Sequence, residues 1–187
     1  MKTITIQTTV YGEPSTLELM EFDELDKLKW KELFDSWKKL KLGMRDYKSR
    51  EPNFPEGLSE SAYCIWSGSK RFIKASAGTN ASFVTFNTQT KEAEQIKACS
   101  IDSDLTSFGP TSKWDKLIFM DFYADGLVDG SFNAYQIPDE LIYNHQINRT
   151  QTFKDQQLQG RRPRLSLKDV IAENDIEPIG KNVKIWL

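Results

Sequence analysis

The chain has 187 residues, of which 28% are charged and 39% hydrophobic, and its formal net charge is −2. That length suits one domain with its own core, and that balance is ordinary for a globular protein rather than a disordered or fibrous one. No apolar run approaches the roughly 18 residues that a membrane span needs, and two cysteines, Cys64 and Cys99, are too few for a disulfide framework or a zinc site.

The chain opens Met1-Lys2-Thr3-Ile4-Thr5-Ile6, the alternation of a strand and not the apolar stretch of a secretion signal. With so few cysteines, a reducing cytoplasm is the expected location. Residues 1–20 read as strands joined at Tyr11-Gly12-Glu13-Pro14. Phe22 to Leu42 reads as an amphipathic helix ended by Gly43, with Leu25, Leu28, Leu33, Phe34, Trp37 and Leu40 as its expected core stripe. Residues 44–56, with Pro52 and Pro55, read as a loop, and a second helix opens near Pro55 or Ser59 and runs through Trp66. Strands are predicted at Lys70–Ser76, Ala81–Asn87, Glu94–Ser100, Lys116–Tyr123 and Ser131–Ile137. The Asp-Gly pairs between Ala124 and Gly130 predict a hairpin connection. Asp139–Tyr143 reads as helical, and Ser166 caps a last helix over Leu167–Asn174. Helices, a strand cluster and helices again predict an α/β (α+β) fold with a mixed central sheet flanked by helices. No linker or second domain interrupts residues 1–187; 1–50 form a strand and helix portion, and 145–187 a basic portion.

The small net charge hides an asymmetry. Glu13 to Asp26 holds six acids and no base, whereas Arg149 to Lys168 holds six bases and one acid, a net +5. A basic segment on a mildly acidic chain suits an anionic partner, or else is a solvated loop.

Lys97 stands out within a strand that otherwise reads as buried. An ammonium there is costly unless it meets an anion. Alternation turns Gln95 and Lys97 to one side and Ile96 and Ala98 to the other, so a cleft can receive the first pair. Gly78-Thr79-Asn80 is a turn entering the preceding strand, and Glu60 lies on the second predicted helix. An acid at a strand start, followed by acid-x-lysine on the next strand, is a layout for metal-dependent phosphodiester cleavage. Hard oxygen ligands hold Mg²⁺ beside the phosphate, and the lysine orients the attacking water and offsets charge on the pentacoordinate phosphorus. The competing reading is a half-exposed lysine on an edge strand.

Five stretches together resemble a family of small type II restriction endonucleases with the PD-(D/E)XK nuclease fold, the Bsp6I-like group. They are Phe54-Pro55-Glu56-Gly57-Leu58-Ser59-Glu60, Gly78-Thr79-Asn80-Ala81-Ser82-Phe83, Gln95-Ile96-Lys97-Ala98, Asp104 through Pro110, and Asn148 through Ser166. The likeness covers roughly residues 50–180, and the last stretch is its most specific part. The resemblance implies a restriction-endonuclease-like fold, Mg²⁺ dependence, and a homodimer cutting double-stranded DNA at a short palindromic or near-palindromic site. It puts Asn80 at the metal-binding aspartate, Gln95 at the (D/E) position, Lys97 at the lysine, and Glu60 at a supporting helix glutamate. Asn80, Gln95 and Glu60 would then hold the metal. Two positions depart from the pattern. An amide oxygen at Gln95 still ligates, but Asn80 offers a neutral oxygen where the metal wants an anion. Only Glu60, with Glu94 or Glu92, would then supply negative charge. The expectation is a chain that cleaves poorly or not at all, whether Asn80 is an engineered replacement or the mark of a degenerate lineage.

In the basic segment Arg161, Arg162 and Arg164 suit guanine edges or phosphates, and Gln156, Gln157 and Gln159 suit adenine. Lys154 adds a phosphate contact, and Thr106 and Ser107 follow the lysine strand closely enough to reach a groove. His145, the only histidine, has no partner spaced for zinc. The functional expectation is a sequence-specific endonuclease. Its alternatives are a non-catalytic DNA-binding protein on a nuclease scaffold, or an interaction protein with an incidental basic loop.

Overall fold

The structure is a computed structural model that describes residues 1–124 and 126–186. Strands β1 (Lys2–Val10) and β2 (Glu13–Glu21) form a hairpin. Its turn needs positive φ at two consecutive residues, and Tyr11 (52°) and Gly12 (88°) supply it. Helix α1 (Glu24–Asp46) begins at a capping box between Asp23 and Asp26. It continues through Gly43, where the sequence predicted a stop, because the first turn beyond it is still hydrogen-bonded: the Tyr47 amide donates to the Gly43 carbonyl. Helix α2 (Glu56–Ser67) ends on Gly68 in the left-handed region. Strands β3 (Lys70–Ala75), β4 (Thr85–Asn87) and β5 (Glu92–Cys99) follow. Next come β6 (Thr106–Ser107), β7 (Lys116–Asp121) and β8 (Phe132–Ile137). The predicted 124–130 connection joins β7 to β8, with Asp125 outside the described residues. The chain closes with α3 (Asp139–Tyr143), β9 (Gln146–Asn148), β10 (Gln151–Thr152), α4 (Phe153–Leu158), β11 (Arg164–Leu165), α5 (Leu167–Glu173) and β12 (Gly180–Val183).

Eight strands form one mixed sheet in the order β1-β2-β3-β4-β5-β7-β8-β12. Only β5 and β7 run parallel; the other neighbours are antiparallel. Alternation along β7 divides the core. Ile118 and Met120 join Trp30, Phe34, Ala62 and Tyr63 under α1 and α2. Leu117 and Phe119 join Phe108, Phe153, Leu167 and Val170 under α3, α4 and α5. The α+β architecture with helices on both faces of a mixed sheet agrees with the sequence reading.

The stripe expected on α1 holds only at Phe34 and Trp37. Its buried residues are Asp26, Trp30, Phe34, Trp37 and Lys41, while Leu25, Leu28, Leu33 and Leu40 face solvent. Trp30 decides the rotation. Its indole N–H donates to the Leu58 carbonyl at 2.8 Å, and its ring stacks 5.3 Å from Phe34, so the aromatic side turns inward.

One detail of the sheet positions the site. Strand β4 is three residues long and pairs with β5 only as far as Thr85 opposite Glu94. The last bond between them runs from the Val84 amide to the Glu94 carbonyl. From Gln95 onward β5 keeps its ladder with β7 alone. The sheet opens there.

Candidate active site

Helix α2 presents two carboxylates on one face. Glu56 lies in its first turn, and Glu60 follows one turn later. Glu60 is 7% exposed, and its Oε2 accepts from Arg71 Nε of β3 at 2.6 Å. Burial pushes its carboxyl up from the usual value against the pull of Arg71. Strand β5 supplies Gln95 and Lys97, which share one side of the strand as alternation predicted; it is the side of Leu117 and Phe119, while Glu94 and Ile96 turn towards α2. Glu56, Glu60, Gln95 and Lys97, together with Val84 and Arg162, line a cleft of about 850 Å³.

Lys97 has no ion pair among the described residues. Its Nζ lies 5.0 Å from the centre of the Phe108 ring. Burial lowers its pKa; Glu56 and Glu60 oppose that shift, and Arg162 adds to it. Gln95 is 5% exposed, and its Oε1 is buried without a hydrogen-bond partner. Ser107 Oγ, in the same cleft, is also buried and unpartnered. Polar atoms left so are costly in a folded protein, and a bound water, ion or ligand can supply the missing partner.

The basic segment reaches the cleft through a small second sheet. Arg164 and Leu165 of β11 pair with Ser107 and Thr106 of β6. The Phe108 amide donates to the Pro163 carbonyl at 3.0 Å. Asp104 ties the same region to α5, accepting from Ser166 Oγ and from the Leu167 and Lys168 amides at 2.8–3.1 Å. Arg162 is thereby carried onto the cleft wall, while Arg161 and Arg164 stay exposed outside it. Thr106 Oγ1 donates to Asp104 at 2.9 Å, an internal contact. Gln157 Nε2 donates to the Gly109 carbonyl at 3.1 Å, so that glutamine braces a turn. Gln156 and Gln159 both meet Gln151, at 3.4 and 2.9 Å, and Arg161 reaches it at 3.5 Å. These four side chains make an amide and guanidinium surface beside the cleft.

The structure gathers Glu60, Gln95 and Lys97 but leaves Asn80 out. Asn80 lines a separate hollow with Lys113, Tyr143 and Lys154 that shares no residue with the cleft. The segment before β4 turns away there: Ser82 and Lys113 exchange hydrogen bonds at 2.8 and 3.1 Å, which fixes it against residues 110–113. The side chain lining the cleft next to β5 from that segment is Val84. Lys154 lies with Asn80 and away from Lys97. Glu94 and Glu92 are also elsewhere. Glu94 accepts from Tyr63 Oη and Thr85 Oγ1 inside the sheet, and Glu92 pairs with Lys116.

Sequence reasoning missed two cleft residues. Glu56 stands four residues before Glu60, and that spacing on a helix was a usable signal. Lys41 is 4% exposed, and its Nζ donates to the Ser100 carbonyl at 2.9 Å. Its signal was its position four residues after Trp37, on the aromatic face of α1.

Among the described residues no group of three or more His, Cys, Asp or Glu is disposed to hold a metal. What fits a hard cation is oxygen of mixed kind. The unsatisfied Gln95 Oε1 and the Glu60 carboxylate share one cleft, and DNA phosphate and water can complete such a shell. A mixed sheet between helical layers, parting beside a strand lysine and facing a helix carboxylate, is the architecture of restriction-endonuclease-like nucleases. The profile of the Bsp6I restriction endonuclease family matches residues 22–174. The chain is also 34% identical over 181 residues to the type II restriction enzyme Bsp6I of Bacillus sp. (strain RFL6), covering 88% of this chain and 94% of that enzyme. It belongs to the Bsp6I restriction endonuclease family. No solved structure matches it.

Proposed function

We infer that the protein is a sequence-specific type II restriction endonuclease, a single nuclease domain that hydrolyses phosphodiester bonds of double-stranded DNA at a short, palindromic or pseudo-palindromic site. The reading includes Mg²⁺ dependence and action as a homodimer, since a two-fold site suits a two-fold protein. The observation that carries it is the unpaired Lys97 beside the unsatisfied Gln95 Oε1 and Glu60 in one cleft. Glu60 and Gln95 would hold the cation, which when bound polarises the phosphate and makes its water more acidic. Lys97 orients the attacking water and stabilises charge gathering on the phosphate oxygens. Arg162 holds a neighbouring phosphate, and Gln151, Gln156, Gln159 and Arg161 face base edges. With Asn80 outside the cleft, its neutral side chain gives no reason for impaired cleavage, and Asn80→Asp is expected to leave the rate unchanged. Two buried, unpaired cysteines suit a reducing cytoplasm. No helix among the described residues is long and apolar enough to cross a membrane.

The test is digestion of a sequenced plasmid in Mg²⁺. Discrete fragments are expected from the parent. Lys97→Ala should cut about 100-fold more slowly while shifting DNA on a gel as the parent does. One observation favours a second reading, a DNA-binding protein that does no chemistry: among the described residues no three His, Cys, Asp or Glu side chains are grouped to hold a metal. Specific gel shifts with no cutting in Mg²⁺ or Mn²⁺ would establish that second reading and overturn the first.

A further inference from the structure

Four acids line the cleft wall: Glu51, Glu56, Glu60 and Asp104. Three of them are engaged. Glu51 accepts from Arg45 at 2.6 Å, and Lys41 approaches it at 3.5 Å. Asp104 is filled by Ser166 and the amides that open α5. Glu60 gives one oxygen to Arg71. Glu56 alone is exposed with no protein partner for its carboxylate among the described residues. In the same cleft the buried Gln95 Oε1 lacks a partner, and the residue beside β5 there is the hydrocarbon of Val84.

A divalent cation needs negative charge as well as oxygen. Gln95 supplies oxygen without charge, and the charge of Glu60 is partly spent on Arg71. Val84 supplies neither. We propose that Glu56 is the second carboxylate of the metal site, so that this chain holds its cation from the helix, through Glu56 and Glu60, with Gln95 as the strand ligand. The inference rests on the nuclease reading and goes beyond it, since it moves the missing charge from the segment before β4 to the first turn of α2. Four residues along a helix set the two carboxylates one above the other on one face, as neighbours that one cation can reach. The role of Glu56 is also compatible with its open position. A ligand at the mouth of the cleft leaves the scissile phosphate free to approach the cation from solvent.

The test is Mn²⁺ uptake by the intact protein, followed as loss of the free-ion signal in electron paramagnetic resonance. It is made on the parent, Glu56→Gln, Glu51→Gln and Asn80→Asp. Glu56→Gln should bind Mn²⁺ at least about tenfold more weakly. Glu51→Gln and Asn80→Asp should bind as the parent does. Because Glu56 is exposed and unbonded, its variant should keep the parent's urea midpoint, which separates lost ligation from lost folding. A Glu56→Gln isotherm that superposes on the parent's overturns the assignment and leaves the nuclease reading standing. A parent that takes up no Mn²⁺ overturns the metal part of that reading, and this inference with it.

Discussion

Lys97 is a cation where burial disfavours charge, and no acid pairs with it among the described residues. Its folded pKa lies below its unfolded one, so the unfolded chain binds the proton more tightly. Stability on this account rises with pH from the depressed value up to the ordinary lysine value of about 10.4. Below that window the penalty is present in full. Lys97→Met removes the penalty and keeps the packing on Phe108. The unfolding free energy in urea at neutral pH should rise, by roughly 1 kcal/mol, while cutting slows as in Lys97→Ala. A fall would show that the lysine is structural. Its neighbour Glu94 behaves in the opposite way. It is 1% exposed and takes the hydroxyls of Tyr63 and Thr85 at 3.0 and 2.9 Å. Burial raises its pKa, so its ionisation costs stability as pH rises from the ordinary glutamate value through the raised one. Glu94→Ala strands both hydroxyls and should lose about 1–3 kcal/mol in urea unfolding. Adjacent residues of one strand thus serve packing and chemistry separately. Alternation made that division legible for Gln95 and Lys97, but nothing in the sequence said what Glu94 would touch.

Helix α1 shows how far periodicity reaches. Two stripes fit a helical interval, one of leucines and one running Asp26, Trp30, Phe34, Trp37 and Lys41. The leucine stripe has the more hydrophobic composition, yet it is the aromatic one that is buried. The indole N–H groups of Trp30 and Trp37 find the Leu58 and Asn53 carbonyls, and those partners lie 28 and 16 residues away. Local pattern cannot register such contacts. Leu33→Ser should therefore change stability by less than about 0.5 kcal/mol, and Phe34→Ala should cost roughly 3–5 kcal/mol; comparable losses would restore the leucine stripe as core. Caps were easier to read, because they depend on neighbours in sequence. Ser166 accepts from the Asp169 amide as predicted. Asp104, which completes the start of α5 from 62 residues away, was not legible. Asp104→Ala should cost about 1–2 kcal/mol and weaken DNA binding, because the same joint carries the strand that holds Arg162.

At the scale of the molecule, charge and topology meet at the cleft. The run from Arg149 to Lys168 signalled an anionic partner, but it did not say which arginine enters the cleft. The pairing of β6 with β11 decides that, and such pairings of two-residue strands leave no periodic trace. Asn80 lies outside the cleft for a related reason: the motif fixed an order along the chain, and the segment before β4 carries the residue to another hollow. Arg162→Ala should weaken DNA binding by about 1–3 kcal/mol and lower its salt slope by about one, with no change in sequence preference. Arg161→Ala, in contact with Gln151, should instead relax the choice of site. Cleavage mapping at two salt concentrations distinguishes them.

The parting of β4 from β5 has a mechanical corollary. Three register pairs join these strands, against six between β5 and β7. A short seam of the sheet therefore runs alongside the reactive groups, and the half built on β1–β4 can breathe against the half built on β7. Amide hydrogens of Thr85–Asn87 should exchange with deuterium sooner than those of Ile118–Met120. A bound duplex bridging both banks would slow the faster set.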